Sequence, residues 1–339
     1  MAENEPLEVD DFSGEGDSSY GSDAASDTTS LASSIQMYRH ENGRTYHAYK
    51  DGHYVFPNDE RELDRLGWYS QNARRFMAEA DLQHHLFTLT LDNKLHLAPV
   101  KGKAQNVLDI GTGTGIWAID YADEHPSAQV VGTDLSPTQP SFVPPNLRFV
   151  IDDAEEEWAF SHKFDFVHCR MMVGSFKDWF GFIKRCNRNL EPDGWLEIQD
   201  LTNGLRCDDG SLTKDSALYK WDQLMMQGAN NLGRPVDVGP QYVSMMEEAG
   251  FVDVQCVMHK WPQNPWPKAR KVKELGMWSQ QNVEDGLQGL SLAILTRGLG
   301  WTAQEVEVFL VDVRKDIRDR RIHTYWDIYV VYGKKADDP

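Results

Sequence analysis

Val107-Leu-Asp-Ile-Gly-Thr-Gly-Thr-Gly115 decides how this chain of 339 residues is read. An apolar run ends in an acidic residue, three glycines alternate behind it, and a helical pattern follows. The spacing predicts a strand, a tight loop and a helix start folded closely around a nucleoside-bearing ligand. Glycine at 111, 113 and 115 permits sharp turns and removes the Cβ atoms that would hold backbone N–H groups away from that ligand. A dinucleotide fingerprint counted from Gly111 would need its last glycine at position 116, which is Ile116. That disfavours a nicotinamide-dependent oxidoreductase. Asp109, two residues before the first glycine, suits an amino group better than a pyrophosphate.

At these residues the chain resembles the class I S-adenosylmethionine-dependent methyltransferases, whose first motif has this form and whose donor carries both an amino group and a cationic sulfonium. Later segments fit the same unit. Ile116–Ala122 has helical apolar spacing, and Gln129–Asp134 reads as a second buried strand ending in a carboxylate. Asp134 stands 25 residues past Asp109, where a ribose-binding acid belongs. The bland alternative is a carboxylate capping Ser136-Pro137. Asn146–Ile151 reads as a third strand leading into Asp152-Asp153-Ala154, and the resemblance implies an adenine contact at Asp153. The acidic run Asp152–Glu157 is otherwise a solvated loop, and Trp158 a packing residue. Phe164–Arg170 and Gly194–Gln199 read as the fourth and fifth strands, the latter introduced by a turn at Pro192-Asp-Gly194.

The fold class implied is α/β: a Rossmann-like methyltransferase with a mostly parallel seven-stranded sheet and an antiparallel last strand. The candidate cofactor-binding set is Asp109, Gly111, Thr112, Gly113, Gly115, Asp134, Leu135, Asp152, Asp153 and Ala154, with S-adenosylmethionine as the cofactor. Methyl transfer from a sulfonium needs chiefly positioning and exclusion of water, and a base only for a protonated acceptor. His168 is the candidate base. Arg170 either orients an acidic substrate or pairs with a nearby carboxylate. Trp261, Trp266 and Trp278 either line an apolar acceptor pocket or pack beneath a long insertion.

Around this unit, Tyr46–Pro57 alternates aromatic and polar residues about an Asp-Gly turn, consistent with a surface hairpin. Helices are expected from Asn58 onward and through Asp81–Leu91, serving as a lid, with the adjacent His84 and His85 as surface or lid residues. No metal site is expected. Beyond the fifth strand the pattern predicts helices over 212–230 and 239–249, a sixth strand over Phe251–Met258, and a rigid aromatic loop Trp261–Pro267. Two helices near 268–299 and 302–320 then precede a last edge strand within Arg321–Tyr332. The organisation is one methyltransferase domain over 39–335, divided into lid helices (39–104), a cofactor-binding half (105–200), and insertion helices with the last strands (201–335).

Lys and Arg number 34 against 53 Asp and Glu, for a formal charge of −19, which disfavours nucleic acid as a direct partner. Residues 1–38 hold nine acidic residues, eight serines and no Lys or Arg, so the other 301 residues carry −10. That opening arm buries little apolar surface and is expected to be disordered, either a docking or phosphorylation region or a solubilising tail. No signal-peptide pattern or apolar run of about 18 residues occurs, so no transmembrane segment is expected. Cys169, Cys186, Cys207 and Cys256 lack metal-type or paired spacing and read as free thiols. Nucleus or cytoplasm is the expected location.

Several segments are more particularly similar to the fungal LaeA-like methyltransferases, the LaeA, VipC and VapB group. They are Tyr46–Asp59, Asp81–Leu86, Leu108–Ala118, Gly174–Trp179, Gly289–Ala293 and Val311–His323, spanning roughly residues 38–333. The chain departs from the usual Pro-Gly-Gly turn before the fifth strand, having Glu191-Pro-Asp-Gly194. The resemblance implies secondary metabolism or development as the setting. Some members are regulators with velvet-type protein partners; others methylate a metabolite. A partner-binding subunit with little turnover is the alternative to an enzyme acting on a metabolite or a protein side chain.

Overall fold

Short apolar runs separated by helical segments favour parallel strands joined by crossovers, and the computed structural model, which describes residues 39–46, 57, 82–100 and 104–337, has this arrangement. The parallel strands are β3 (Asn106–Ile110), β4 (Gln129–Asp134), β5 (Leu147–Ile151), β6 (Phe164–Arg170) and β7 (Leu190–Leu201). With β8 at Arg206–Cys207, β9 at Phe251–Pro262 and β10 at Thr324–Lys335, the sheet order is β5-β4-β3-β6-β7-β10-β8, and β9 also pairs with β10. The chain runs outward from β3 to β4 and β5, then returns to lay β6 on the other side of β3. A crevice therefore opens at the carboxyl ends of β3 and β6, where the winding direction reverses.

Four expectations change here. The last strand is not an edge. β10 lies between β7 and β9 and is antiparallel to both, as its nearly unbroken burial requires. A two-residue strand, β8 (Arg206–Cys207), also pairs with it, giving eight strands where seven are expected. The turn expected at Pro192-Asp193-Gly194 is absorbed into β7 as a bulge: Phe164 pairs with Leu190 and Phe166 with Trp195, and Asp193 takes a φ of 64°. Likewise Trp261 and Pro262 extend β9 rather than opening a loop.

The helices cover both faces. Helix α2 (Ile116–Glu124) buries Trp117, Ala118, Tyr121 and Ala122 against β3–β5 and β6. Helix α3 (Trp179–Asn189) buries Trp179, Phe182, Ile183 and Cys186, and Asp178 caps it by accepting from Gly181 N–H at 2.8 Å. Helix α4 (Ala217–Asn231) packs with α6 (Arg270–Leu299) and α7 (Ala303–Arg318) around a second apolar cluster containing Trp221, Leu287, Ile294 and Leu310. Before β9, a single 3₁₀ turn leads into α5 (Tyr242–Glu248). The expected insertions between the fifth and sixth strands and before the last are thus α4–α5 and α6–α7. No helix among the described residues is long and apolar enough to cross a membrane.

Helix α7 starts at a capping box, in which Thr302 Oγ accepts from Glu305 N–H and Glu305 accepts from Thr302 N–H. Replacing Thr302 with Ala is expected to cost about 1 kcal/mol of unfolding free energy. Urea titration checks this, and an unchanged midpoint contradicts it.

Near the N-terminal end, β1 (Arg39–Glu41) and β2 (Arg44–Tyr46) form a hairpin about Asn42-Gly43, both at positive φ. Arg297 of α6 holds it through Glu41 and lies over the Tyr46 ring. The hairpin expected across 46–57, the helix from Asn58 and the arm 1–38 fall outside the described residues, apart from Tyr46 and Pro57. Of the lid helices, α1 (Leu82–Thr90) is described.

Candidate functional site

The loop after β3 alternates left-handed glycines: Gly111, Gly113 and Gly115 have φ of 65°, 58° and 85°. A Cβ on Gly115 would come within 2.3 Å of the Phe149 ring, and one on Gly111 within 2.2 Å of Met172 Sδ. At Gly113 a Cβ would meet nothing within 4 Å, because that position faces the cavity. Two carboxylates brace the loop. Asp134, at the end of β4, accepts from Gly113 N–H at 2.9 Å and from Ser136 N–H at 3.0 Å. Burial pushes its carboxyl up to about 6, against the lowering effect of those backbone donors. Gly113 C=O in turn accepts from Thr138 Oγ and Gln139 Nε2.

Asp109 is turned inward. Its two oxygens take Thr112 Oγ–H at 2.6 Å and His168 Nδ1 at 2.7 Å. The register explains the second contact, since β3 and β6 run parallel with Asp109 opposite His168. The His168 ring also stacks on Trp117 at 3.7 Å with planes 6° apart. Burial holds its basicity below the ordinary histidine value.

This geometry fixes the orientation of His168, the candidate base. Nδ1 is committed to Asp109, and Nε2 is sealed from solvent with Gln199 as its polar neighbour. His168 lines the cavity that holds the glycine loop. It holds Asp109, which in turn holds Thr112 of the glycine loop.

After β5, Asp152 Oδ1 accepts from Asp153 N–H, and Asp153 Oδ1 from Glu155 N–H, which folds the acidic run into a tight turn. Burial raises the Asp152 carboxyl. Leu135, Asp152, Asp153 and Ala154 line one cavity together with Asp109, Gly111, Thr112 and Gly113. Gly115 does not line it; it is the N-cap of α2 and packs against Phe149. Trp158 packs against the core, with its indole N–H on Ala154 C=O.

Other expectations land elsewhere. Trp261 is buried against Phe87 and donates to Thr90, Trp266 donates to Thr324 C=O, and Trp278 meets His85 edge-on. None of the three lines the cavity, so aromatic packing is their role. His84 is buried rather than superficial and sits between Asp120 and Arg170, tying α1 to α2 and β6. Arg170 lies over the Phe87 ring and lines the cavity.

A family described as "Methyltransferase domain" matches residues 82–256. The chain belongs to that methyltransferase family. It is similar to "Methyltransferase pytC" of Aspergillus terreus, 41% identical over 92% of this chain and 93% of that protein. "Probable methyltransferase tdiE" of Emericella nidulans is 41% identical over 76% and 81% of the two chains. "Secondary metabolism regulator LAE1" of Cochliobolus heterostrophus is 35% identical over 86% and 92%. The cofactor of this methyltransferase is S-adenosylmethionine, and the residues present fit it: a cavity-lining stretch of backbone at Gly113 with no side chain in the way, flanked by the carboxylates of Asp134 and Asp152–Asp153.

Cavity residues that sequence reasoning missed include Gln83, Glu155, Ser175, Arg234 and Leu290. Arg234 lies over 100 residues beyond the glycine loop, in Gly233-Arg234-Pro235, which as sequence reads only as the end of a helix. No spacing signal links it to the site; packing of the insertion does.

Proposed function

We propose that this methyltransferase transfers a methyl group to a small-molecule acceptor of secondary metabolism. The observation that carries the proposal is a single cavity. It joins the glycine loop and the carboxylates after β4 and β5 to a wall built by Gln83 of α1, Leu290 of α6 and Arg234. Similarity to pytC and tdiE, both named methyltransferases, supports the same reading.

S-adenosylmethionine, when bound, supplies an electrophilic methyl group on a sulfonium. The chain's own part is to bind, orient and exclude water. Asp134 is suited to accept from ribose hydroxyls while keeping its hold on Gly113. Asp153 and Ala154 are suited to the adenine edge. Asp109, fixed by His168 and Thr112, keeps the loop in one geometry and sets negative charge beneath it.

A second reading is favoured by the regulator named among the relatives: a regulatory subunit that binds the donor and acts through velvet-type protein partners. Nucleus or cytoplasm is the place of action proposed for either, supported by four cysteines that are all free. Incubation with methyl-labelled donor, against cell proteins and against small-molecule extract in parallel, separates the readings. Label in the extract is the expected result. Label confined to protein, or none despite donor binding, overturns the small-molecule reading.

A further inference from the structure

Arg234 is 2% exposed, and its backbone N–H, bonded to Ala229 C=O, fixes it at the end of α4. Its polar contacts with protein are made by Nη1, which donates to Glu155 Oε2 at 3.2 Å and to Ser175 C=O. Nε and Nη2 have no partner among the described residues. Those two nitrogens form one edge of the planar guanidinium, with N–H bonds pointing the same way. That fork matches the two oxygens of a carboxylate. Ser175 Oγ, beside it, is buried and unpartnered as well. Both residues line the cavity that holds the glycine loop. Buried donors are nearly always satisfied, and an open fork on a buried cation implies a ligand group to fill it.

We propose that Arg234 and Ser175 form a subsite for a carboxylate of the methyl acceptor. The inference rests on the donor reading given above. A carboxylate has two possible sources, the acceptor and the donor's own amino-acid end. Arg234 is anchored to Glu155 and Ser175, in the loops after β5 and β6. The donor's amino-acid end belongs at Asp109–Gly113, after β3, and the adenine expected near Asp153 offers no paired oxygens. Placement therefore assigns the fork to the acceptor. The acceptor is an acidic metabolite, held by its carboxylate while another atom is methylated, or methylated on the carboxylate itself.

The test uses the full chain as wild type, R234Q and R234K. Each is titrated calorimetrically with S-adenosylhomocysteine and with 5′-methylthioadenosine, which lacks the amino-acid end. Protein loaded with S-adenosylhomocysteine is then probed by saturation-transfer NMR with benzoate and benzamide. The expected result is S-adenosylhomocysteine affinity within about threefold across variants. Benzoate is bound by the wild type, lost in R234Q, and weakened about tenfold or more in R234K, which keeps the charge but not the fork. Benzamide gives no response.

A benzoate response unchanged in R234Q, or none in the wild type, overturns the subsite. So does R234Q weakening S-adenosylhomocysteine while sparing 5′-methylthioadenosine, which assigns the fork to the donor's carboxylate. A wild type that binds neither nucleoside overturns the donor reading and the subsite with it. Should the arginine variants not fold, Ser175→Ala carries the test: weaker benzoate supports the proposal and unchanged benzoate overturns it.

Discussion

Gly113→Asp is expected to weaken binding of S-adenosylhomocysteine by about a hundredfold or more while leaving the fold intact. Two features of position 113 separate binding from folding. Its φ of 58° is one that Asp tolerates better than most residues. Its Cβ direction is open, so no neighbour has to move. The new side chain instead enters the cavity, adding a second carboxylate beside Asp134, whose carboxyl burial has already raised to about 6. It thereby occupies the space beside the bare backbone and places like charges together.

Gly115→Ala makes the contrast. There a Cβ would press to 2.3 Å from the Phe149 ring at a φ of 85°, so stability is lost along with binding. Calorimetric titration paired with a thermal melt distinguishes the two. Unimpaired binding by a folded Gly113→Asp protein would remove the glycine loop from the donor site.

Asp200→Asn is expected to stabilise the protein relative to wild type by an amount that grows with pH. Asp200 is fully buried at the end of β7 and accepts from Tyr242 O–H, Val173 N–H and Leu201 N–H. Burial pushes its carboxyl up to about 7, outweighing those donors. A raised acid favours the folded state while protonated. Its contribution is therefore fully present below the unfolded value near 4 and is lost as pH rises through 7. Asn stays neutral throughout and keeps an oxygen for the two backbone donors. Between pH 5 and 8 the stability gap between variant and wild type should widen by roughly 3 kcal/mol. Urea unfolding at the two pH values measures it, and a gap independent of pH contradicts the raised acidity constant. Val173 follows β6 and lines the cavity, so the same carboxylate also anchors part of the site wall.

The parallel strands and α2 were legible because their cues are local. A strand's apolar run, the glycines at 111, 113 and 115, and the acid ending β4 each report on themselves within a few residues. The helix expected near 302–320 likewise stands, as α7. The bulge at Asp193 was read as a turn because Pro-Asp-Gly has that chemistry alone; pairing with β6 holds it within a strand. Trp261 and Pro262 read as loop because Pro punctuates a sequence, although β9 is an edge strand paired to β10 alone among the described strands, where proline is tolerated.

The amino-acid sequence by itself settled the fold class and placed the glycine loop and the acids after β4 and β5 at neighbouring strand ends, since local spacing fixes where each strand stops. Tertiary structure alone decided which side chains are available for chemistry. His168 read only as a strand-end residue, yet parallel register sets it against Asp109 and Trp117 stacks on its ring, which fixes its orientation at the cavity wall. Arg234 looked like a helix terminator, yet the insertion carries it into the cavity with an open fork. The physical reason is that burial and partnership are set by residues distant along the chain, and those determine whether a charged or basic group faces a ligand or the core.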